Sequence, residues 1–298
     1  MKGEERFKGQ APRFWANVRT ITQQVGYTTK GIVRTFGFED MTKAMADLGL
    51  AGTHLVEADG LPTVLGQELR EYFDYRAELL NEQAANLLMD EQEAREQYEE
   101  LRATLSPTRP PPMNKQKAAK KAPAYLTAMV NMLIESCIGD YPCNYDPLEL
   151  TTFTKDQAPA RTLARRVDGA FPSPVNPVAL WEIKEYYYTT TFGSRIADGV
   201  YETLLDGMEL QELATAEEIE ALHYFIIDAR DTWWSAGGRP YLCRIVDMLH
   251  MGFVDEVLLG REIKTRLPEL VSEWIGRLEE RGGGTMKGAT SETPAPEA

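Results

Sequence analysis

The prolines of "PSPVNP" at residues 172–177 separate two short apolar runs, "TLARRVDGAF" before them and "VALWEIKEYYY" after them. Proline has no N–H to donate to a β-ladder, so the segment cannot continue a strand, and the two runs read as strands folded back on each other. In an extended chain successive side chains alternate between faces. Leu180, Glu182, Lys184 and Tyr186 therefore share one face of the second strand, and Trp181 and Ile183 occupy the other. Leu180, Trp181 and Ile183 predict a largely buried strand. Charges on such a strand are costly unless they are paired or bound to a metal. Folding the first run back onto the second brings Asp168 towards Glu182.

The pattern around this strand pair alternates. Residues 124–138 read as a helix, 161–171 and 177–188 as strands, and 193–213 as a helix. "ALHYFIIDAR" reads as a buried strand, "RPYLCRIVDMLHM" as a helix and "FVDEVLLG" as a short strand, with "PELVSEWIGRLEE" as the last helix, Pro268 at its start. The expected fold class is mixed α/β, with a central mixed sheet flanked by helices over residues 124–280. Upstream, "FEDMTKAMADLGLAGTHLV" has the outline of a helix-turn-helix within residues 1–66. Its first helix runs from Glu39 to Leu48, the turn lies at Gly49, and a second helix opens near Thr53. Residues 67–105 read as one long charged helical arm, with Leu69, Phe73, Leu80, Ala84, Leu87 and Leu88 forming its apolar stripe. The basic, proline-rich stretch 106–123 reads as a linker, and residues 281–298, poor in apolar side chains, as a disordered tail.

With 298 residues, 43% of them hydrophobic, the chain can bury a sizeable core. No stretch of about eighteen uninterrupted apolar residues is present, and no apolar segment follows the first basic residues, so a cytoplasmic protein that does not span a membrane is expected. Cys137, Cys143 and Cys243 form no CxxC pair, and none of His54, His223 and His250 lies nearby in sequence, which argues for reduced thiols rather than a zinc site. The net charge of −14 opposes indiscriminate coating of nucleic acid. Its distribution is uneven, since residues 1–35 carry seven Lys or Arg against two Glu. Arg19, Lys30 and Arg34 in that segment are candidate phosphate contacts.

Asp168, Glu182 and Lys184 together suggest chemistry at phosphorus. Two carboxylates hold a hard divalent cation, the backbone carbonyl of Ile183 offers a further oxygen, and an ammonium can orient water beside it. "VDG" at 167–169 followed by "WEIK" at 181–184 resembles the active-site signature of the PD-(D/E)xK nuclease superfamily, with Val167 where the family name has proline. That resemblance implies a restriction-endonuclease-like core. Asp168 and Glu182 would be its metal ligands, Lys184 its catalytic lysine, and Glu135 in "NMLIES" a further acidic ligand on the preceding helix. It implies a Mg²⁺-dependent endodeoxyribonuclease of the type II restriction kind, with Mn²⁺ able to substitute. Double-stranded DNA would be the substrate, a homodimer the working form, and a DNA methyltransferase the companion activity. Arg195, near the start of the helix after the strand, would contact phosphate. A repair, structure-selective or modification-dependent nuclease is the alternative, and a non-catalytic DNA-binding regulator or assembly subunit the second. Another Glu-x-Lys, at Glu262 and Lys264, has no upstream acid on a separate strand and reads as solvated surface.

Overall fold

A computed structural model describes residues 1–114, 122–189 and 193–282. Its centre is a four-stranded mixed sheet in the order β5 (Gly169–Phe171), β6 (Ala179–Glu185), β7 (Leu222–Asp228), β8 (Glu256–Leu259). The "PSPVNP" segment turns β5 back onto β6 antiparallel, pairing Gly169 with Trp181 and Phe171 with Ala179. The β6–β7 and β7–β8 pairs are parallel, joined by the crossover helices α7 (Ser194–Glu217) and α8 (Arg239–His250). Parallel strands carry helices on both faces, which is why β7 reads as an unbroken buried run rather than an alternating one.

One face of the sheet presents Trp181, Ile183, Tyr224, Ile226 and Leu258 to α6 (Tyr125–Cys137) and α9 (Ile263–Glu280). There the Trp181 and Trp274 rings stack, 5.4 Å apart and 8° from parallel. The other face presents Phe225, Ile227, Val257 and Leu259 to α8, while Leu180 packs with Leu210 and Leu213 of α7. The β3–β4 hairpin (Thr152–Lys155 and Ala158–Thr162) lies against this second face beside α7.

The amino-terminal part adds α1 (Pro12–Val25), a two-residue ribbon β1–β2 (Thr28–Thr29 and Ile32–Val33), α2 (Phe38–Asp47) and α3 (Val64–Glu78), around Phe14, Val18, Ile21, Met41, Leu69 and Phe73. The expected first helix and its Gly49 turn are present, Gly49 having φ +69°. The second helix near Thr53 is not. Residues 53–63 instead form turns, with Asp59 Oδ1 accepting from Leu61 N (3.0 Å) and a bridge between Val56 and Pro62. Pro62 favours extended backbone at Leu61, and helix resumes only when the Thr63 hydroxyl accepts from Gly66 N at 3.0 Å. A helix-turn-helix is therefore absent here.

The arm is corrected too. Helix α3 passes through a π-helical turn, Leu79–Ala84, into the short α4 (Ala85–Leu87), and α5 (Glu91–Leu105) begins afresh at an Asp90–Glu93 capping box. Leu88 has extended backbone at the break. Its stripe packs internally, with Leu69 and Phe73 in the amino-terminal core and Leu80, Ala84 and Leu88 under the sheet. Nor does 106–123 link separate units. It joins α5 to α6, which pack on each other, and it returns on itself through Asn114 N to Ala122 O and Ala124 N to Pro112 O, both 2.9 Å. Residues 115–121 of that stretch, and 283–298 of the expected tail, lie outside the described residues. Pro268 falls inside α9 rather than at its start, because the helix begins at Ile263, directly after a 3₁₀ turn, Gly260–Glu262. Among the described residues no helix is long and apolar enough to cross a membrane.

Candidate active site

Strand pairing places Asp168 at the mouth of β5. Its N–H donates to Trp181 O (3.1 Å), and its Oδ2 accepts from Ile183 N (2.8 Å). In a strand the N–H and C=O of one residue point to the same side, so the Ile183 carbonyl also faces this edge, where β5 has ended. Gly169 is required next to Asp168, since a Cβ there would sit 2.0 Å from the Trp181 indole. Trp181 thus fills the core while its neighbours Asp168 and Glu182 turn towards α7.

Glu182 is 0% exposed, and two cations hold it. Arg165 grips it with both terminal nitrogens, Nη1 to Oε2 at 3.0 Å and Nη2 to Oε1 at 2.8 Å, and Lys184 Nζ lies 2.5 Å from Oε1. Helix α7 supplies two more acids at i and i+4. Glu202 accepts from Lys184 Nζ at 2.9 Å, and the fully buried Asp206 accepts from Arg165 Nη1 at 2.6 Å through Oδ2. Among the described residues Asp206 Oδ1 has no partner. Gly199, one turn before, keeps the helix close, because a Cβ there would meet Lys184 Cε at 2.8 Å.

Four carboxylates therefore face two cations, and the ionisation behaviour reflects the excess. Burial, with Glu182 adding to it, pushes Asp168 up to about 7. Burial also pushes Asp206 up to about 7, Glu182 adding to the rise and Arg165 opposing it. For Lys184 burial alone would favour the neutral amine, but Glu182 and Asp168 outweigh it and raise the ammonium above its ordinary value. Glu202 is lowered, the pull of Lys184 and Arg165 exceeding its burial.

The sequence-predicted Asp168, Glu182, Ile183 and Lys184 are thus brought together. Glu135 is not, because α6 carries it to a hydrogen bond with Thr108 beside Arg109 and the proline segment. Arg195 stands exposed in the first turn of α7, its carbonyl accepting from Tyr186 OH at 3.3 Å. Arg19 lies on α1 with Nη2 3.4 Å from Met251 Sδ. Lys30 occupies the β1–β2 turn, and Arg34 is held by Val25 O (3.1 Å) and Asp40 (3.7 Å). None of these three contacts the cluster. Three of its members were missed: Arg165, Glu202 and Asp206. The signal for the last two was the 199/202/206 face of α7, a glycine and two acids at helical spacing.

Asp168, Glu182 and the Ile183 carbonyl form an oxygen-only donor set of the kind Mg²⁺ takes, and the surplus negative charge suits a cation. Among the described residues no group of three or more His, Cys, Asp or Glu is placed to hold a metal, so any such site rests on two carboxylates and the carbonyl. Arg165 competes for Glu182 in this arrangement.

Residues 89–274 match the family described as a domain of unknown function, DUF7687, and residues 1–83 match a second domain of unknown function, DUF7690. No curated protein and no solved structure matches the chain.

Proposed function

The chain belongs to the DUF7687 family, whose description carries no activity, and we propose from the geometry alone that it is a metal-dependent nuclease hydrolysing phosphodiester bonds of DNA. The observation that supports this is the meeting of Asp168, Glu182 and Lys184 on an antiparallel strand pair, with more carboxylate than cation around them. Asp168 and Glu182, with the Ile183 carbonyl, would hold Mg²⁺ or Mn²⁺. Such a cation supplies charge neutralisation at the phosphoryl oxygens and acidifies water. Lys184 would keep its proton and orient the attacking water, its ammonium held in place by Glu202. Arg165 would release Glu182 and turn to the phosphate, staying anchored by Asp206. Sequence-specific cutting of both strands, as in a type II restriction enzyme, would call for a dimer.

The bidentate Arg165–Glu182 pair favours a second reading. In it the cluster is a structural ion-pair network, and the protein binds DNA, or assembles with partners, without cutting.

The test is incubation of unmethylated plasmid and phage DNA with wild type, with Mg²⁺ and with EDTA, alongside Glu182→Gln and Lys184→Ala. Metal-dependent fragments lost in both folded variants, by about 10³-fold or more, are expected of the nuclease. No cleavage of this DNA, of methylated DNA or of branched DNA by folded wild type would leave the second reading.

A further inference from the structure

A cavity of about 500 Å³ lies between α1, α7 and α8, on the side of α7 turned away from the Glu182 cluster. Gly199, Glu202 and Asp206 face β6, whereas Val200, Tyr201 and Leu204 line the cavity. Its size is that of a small-molecule site. From these walls we propose that the cavity binds a nucleoside monophosphate, either free or as one unit of a nucleic-acid strand. The proposal does not depend on the Glu182 cluster being catalytic.

The charge of the walls comes first. Arg19 and Arg244 both line the cavity, and among the described residues neither forms an ion pair with a carboxylate. Asp247 is also at the wall, but its oxygens are taken by Arg76 at 2.8 and 3.1 Å and by Tyr72 OH at 2.6 Å. In a chain with 46 acids against 32 Lys and Arg, two guanidiniums left without a carboxylate in one cavity mark a place for an external anion.

Shape adds the second part. The Arg244 guanidinium lies 5.0 Å from the Tyr27 ring centre and 4.5 Å from that of Tyr241, and its Nε donates to Tyr27 OH at 3.3 Å. Stacking on aromatic rings, with side-chain hydrogen bonds to Tyr27 and Tyr241, fixes the plane of the fork at the cavity wall, where the guanidinium can face a phosphate. Tyr201, 49% exposed, stands with its ring 6.5 Å from Tyr241 and offers a face on which a base can stack. The side-chain amides of Gln23 and Gln24, exposed on α1, bond to no side chain or backbone group among the described residues. They provide both donors and acceptors for a base edge.

The experiment uses the full chain and two probes, deoxyadenosine monophosphate followed by calorimetry and a short single strand carrying 2-aminopurine followed by its fluorescence. Deoxyadenosine and inorganic phosphate serve as controls. Expected are binding of the monophosphate or quenching of the strand, with deoxyadenosine and phosphate each about 10-fold weaker. Arg19→Ala and Tyr201→Ala, both surface changes whose folding is checked by circular dichroism, each weaken the bound probe by about 10-fold, and Glu182→Gln leaves it unchanged. Binding of the free monophosphate identifies a nucleotide site. Response of the strand alone identifies a pocket for one of its units. Absence of both at millimolar concentration, equal affinity for phosphate alone, or full binding by the two folded variants would overturn the proposal.

Discussion

Two of the buried groups of charges in this molecule are built differently. Arg76, buried on α3, pairs with Asp247 of α8 at 2.8 Å, the Tyr72 hydroxyl donates to the same carboxylate at 2.6 Å, and Thr22 Oγ1 accepts from Arg76 at 3.5 Å. One cation meets one anion, and among the described residues the one buried atom there without a partner is a donor, Arg76 Nε. The Glu182 group sets Asp168, Glu182, Glu202 and Asp206 against Arg165 and Lys184, and its atom without a partner is an acceptor, Asp206 Oδ1. A balanced network ties the amino-terminal helices to α8. An unbalanced one has a charge left to satisfy, and function is expected there.

The comparison breaks most easily at Asp247. Asp247→Ala would leave the Arg76 guanidinium buried without its partner, a loss of about 3–5 kcal/mol in denaturant unfolding. Glu182→Gln costs less, because Arg165 keeps Asp206 at 2.6 Å and Glu202 at 3.6 Å. Equal losses for the two variants would show that both networks are structural.

A smaller effect follows from Asp168. Its folded value, about 7, lies above the ordinary carboxylate range, so the folded state holds a proton that the unfolded chain has released. The contribution of Asp168 is therefore favourable at acid pH and is lost as pH rises from about 4 to about 7. Asp168→Asn, which cannot release that proton, should gain stability relative to wild type across this window, by about 1–2 kcal/mol once screening by solvent is allowed for, and the difference should stay level above it. Chemical unfolding at a series of pH values measures it. A difference independent of pH would mean that Asp168 ionises normally.

Similar in size is the effect of a divalent cation on unfolding. At ten times its dissociation constant a ligand bound only by the folded chain adds about 1.4 kcal/mol. Mg²⁺ or Mn²⁺ should therefore raise the melting temperature of wild type but not of Asp168→Asn. An equal rise in both, or none in either, would place the Glu182 group beside the Arg76 group as a structural network.

The sheet around β6 was legible because its signals are local. Prolines that lack a donor, the apolar run of β7 and the alternation about Glu182 each act within a few residues of the backbone they shape. Other features were not legible, most of them for reasons of distance. The break at Leu88 and the path of 106–123 depend on where α5 finds α6, and the segment after Gly49 on where Thr63 and Pro62 restart the chain. Arg165, only three residues before Asp168, gave no sign of its role, because its partners come from a strand and from a helix about forty residues away. Glu135 stood on the helix before the strand pair, where the resemblance implied an acid, but α6 carries its side chain to Thr108.

The second Glu-x-Lys sharpens the comparison from the other side, since it has the same residue types without the surroundings. Glu262 closes the turn before α9, its Oε2 accepting from Leu259 N at 2.9 Å, and Lys264 meets Glu100 at 2.8 Å with both side chains well exposed. Water screens such a pair and holding two long side chains costs entropy, so Lys264→Ala should change stability by at most about 0.5 kcal/mol. It should also leave any metal-dependent cleavage intact. Lys184→Ala, by contrast, strips Glu182 of the closer of its two cations, at 2.5 Å, on a carboxylate that water does not reach. Thermal melts and plasmid cleavage of the two alanine variants, run side by side, read this directly. If Lys264→Ala loses activity to the same degree as Lys184→Ala, spacing alone marks these sites, and the excess of carboxylate around β6 has no bearing on function.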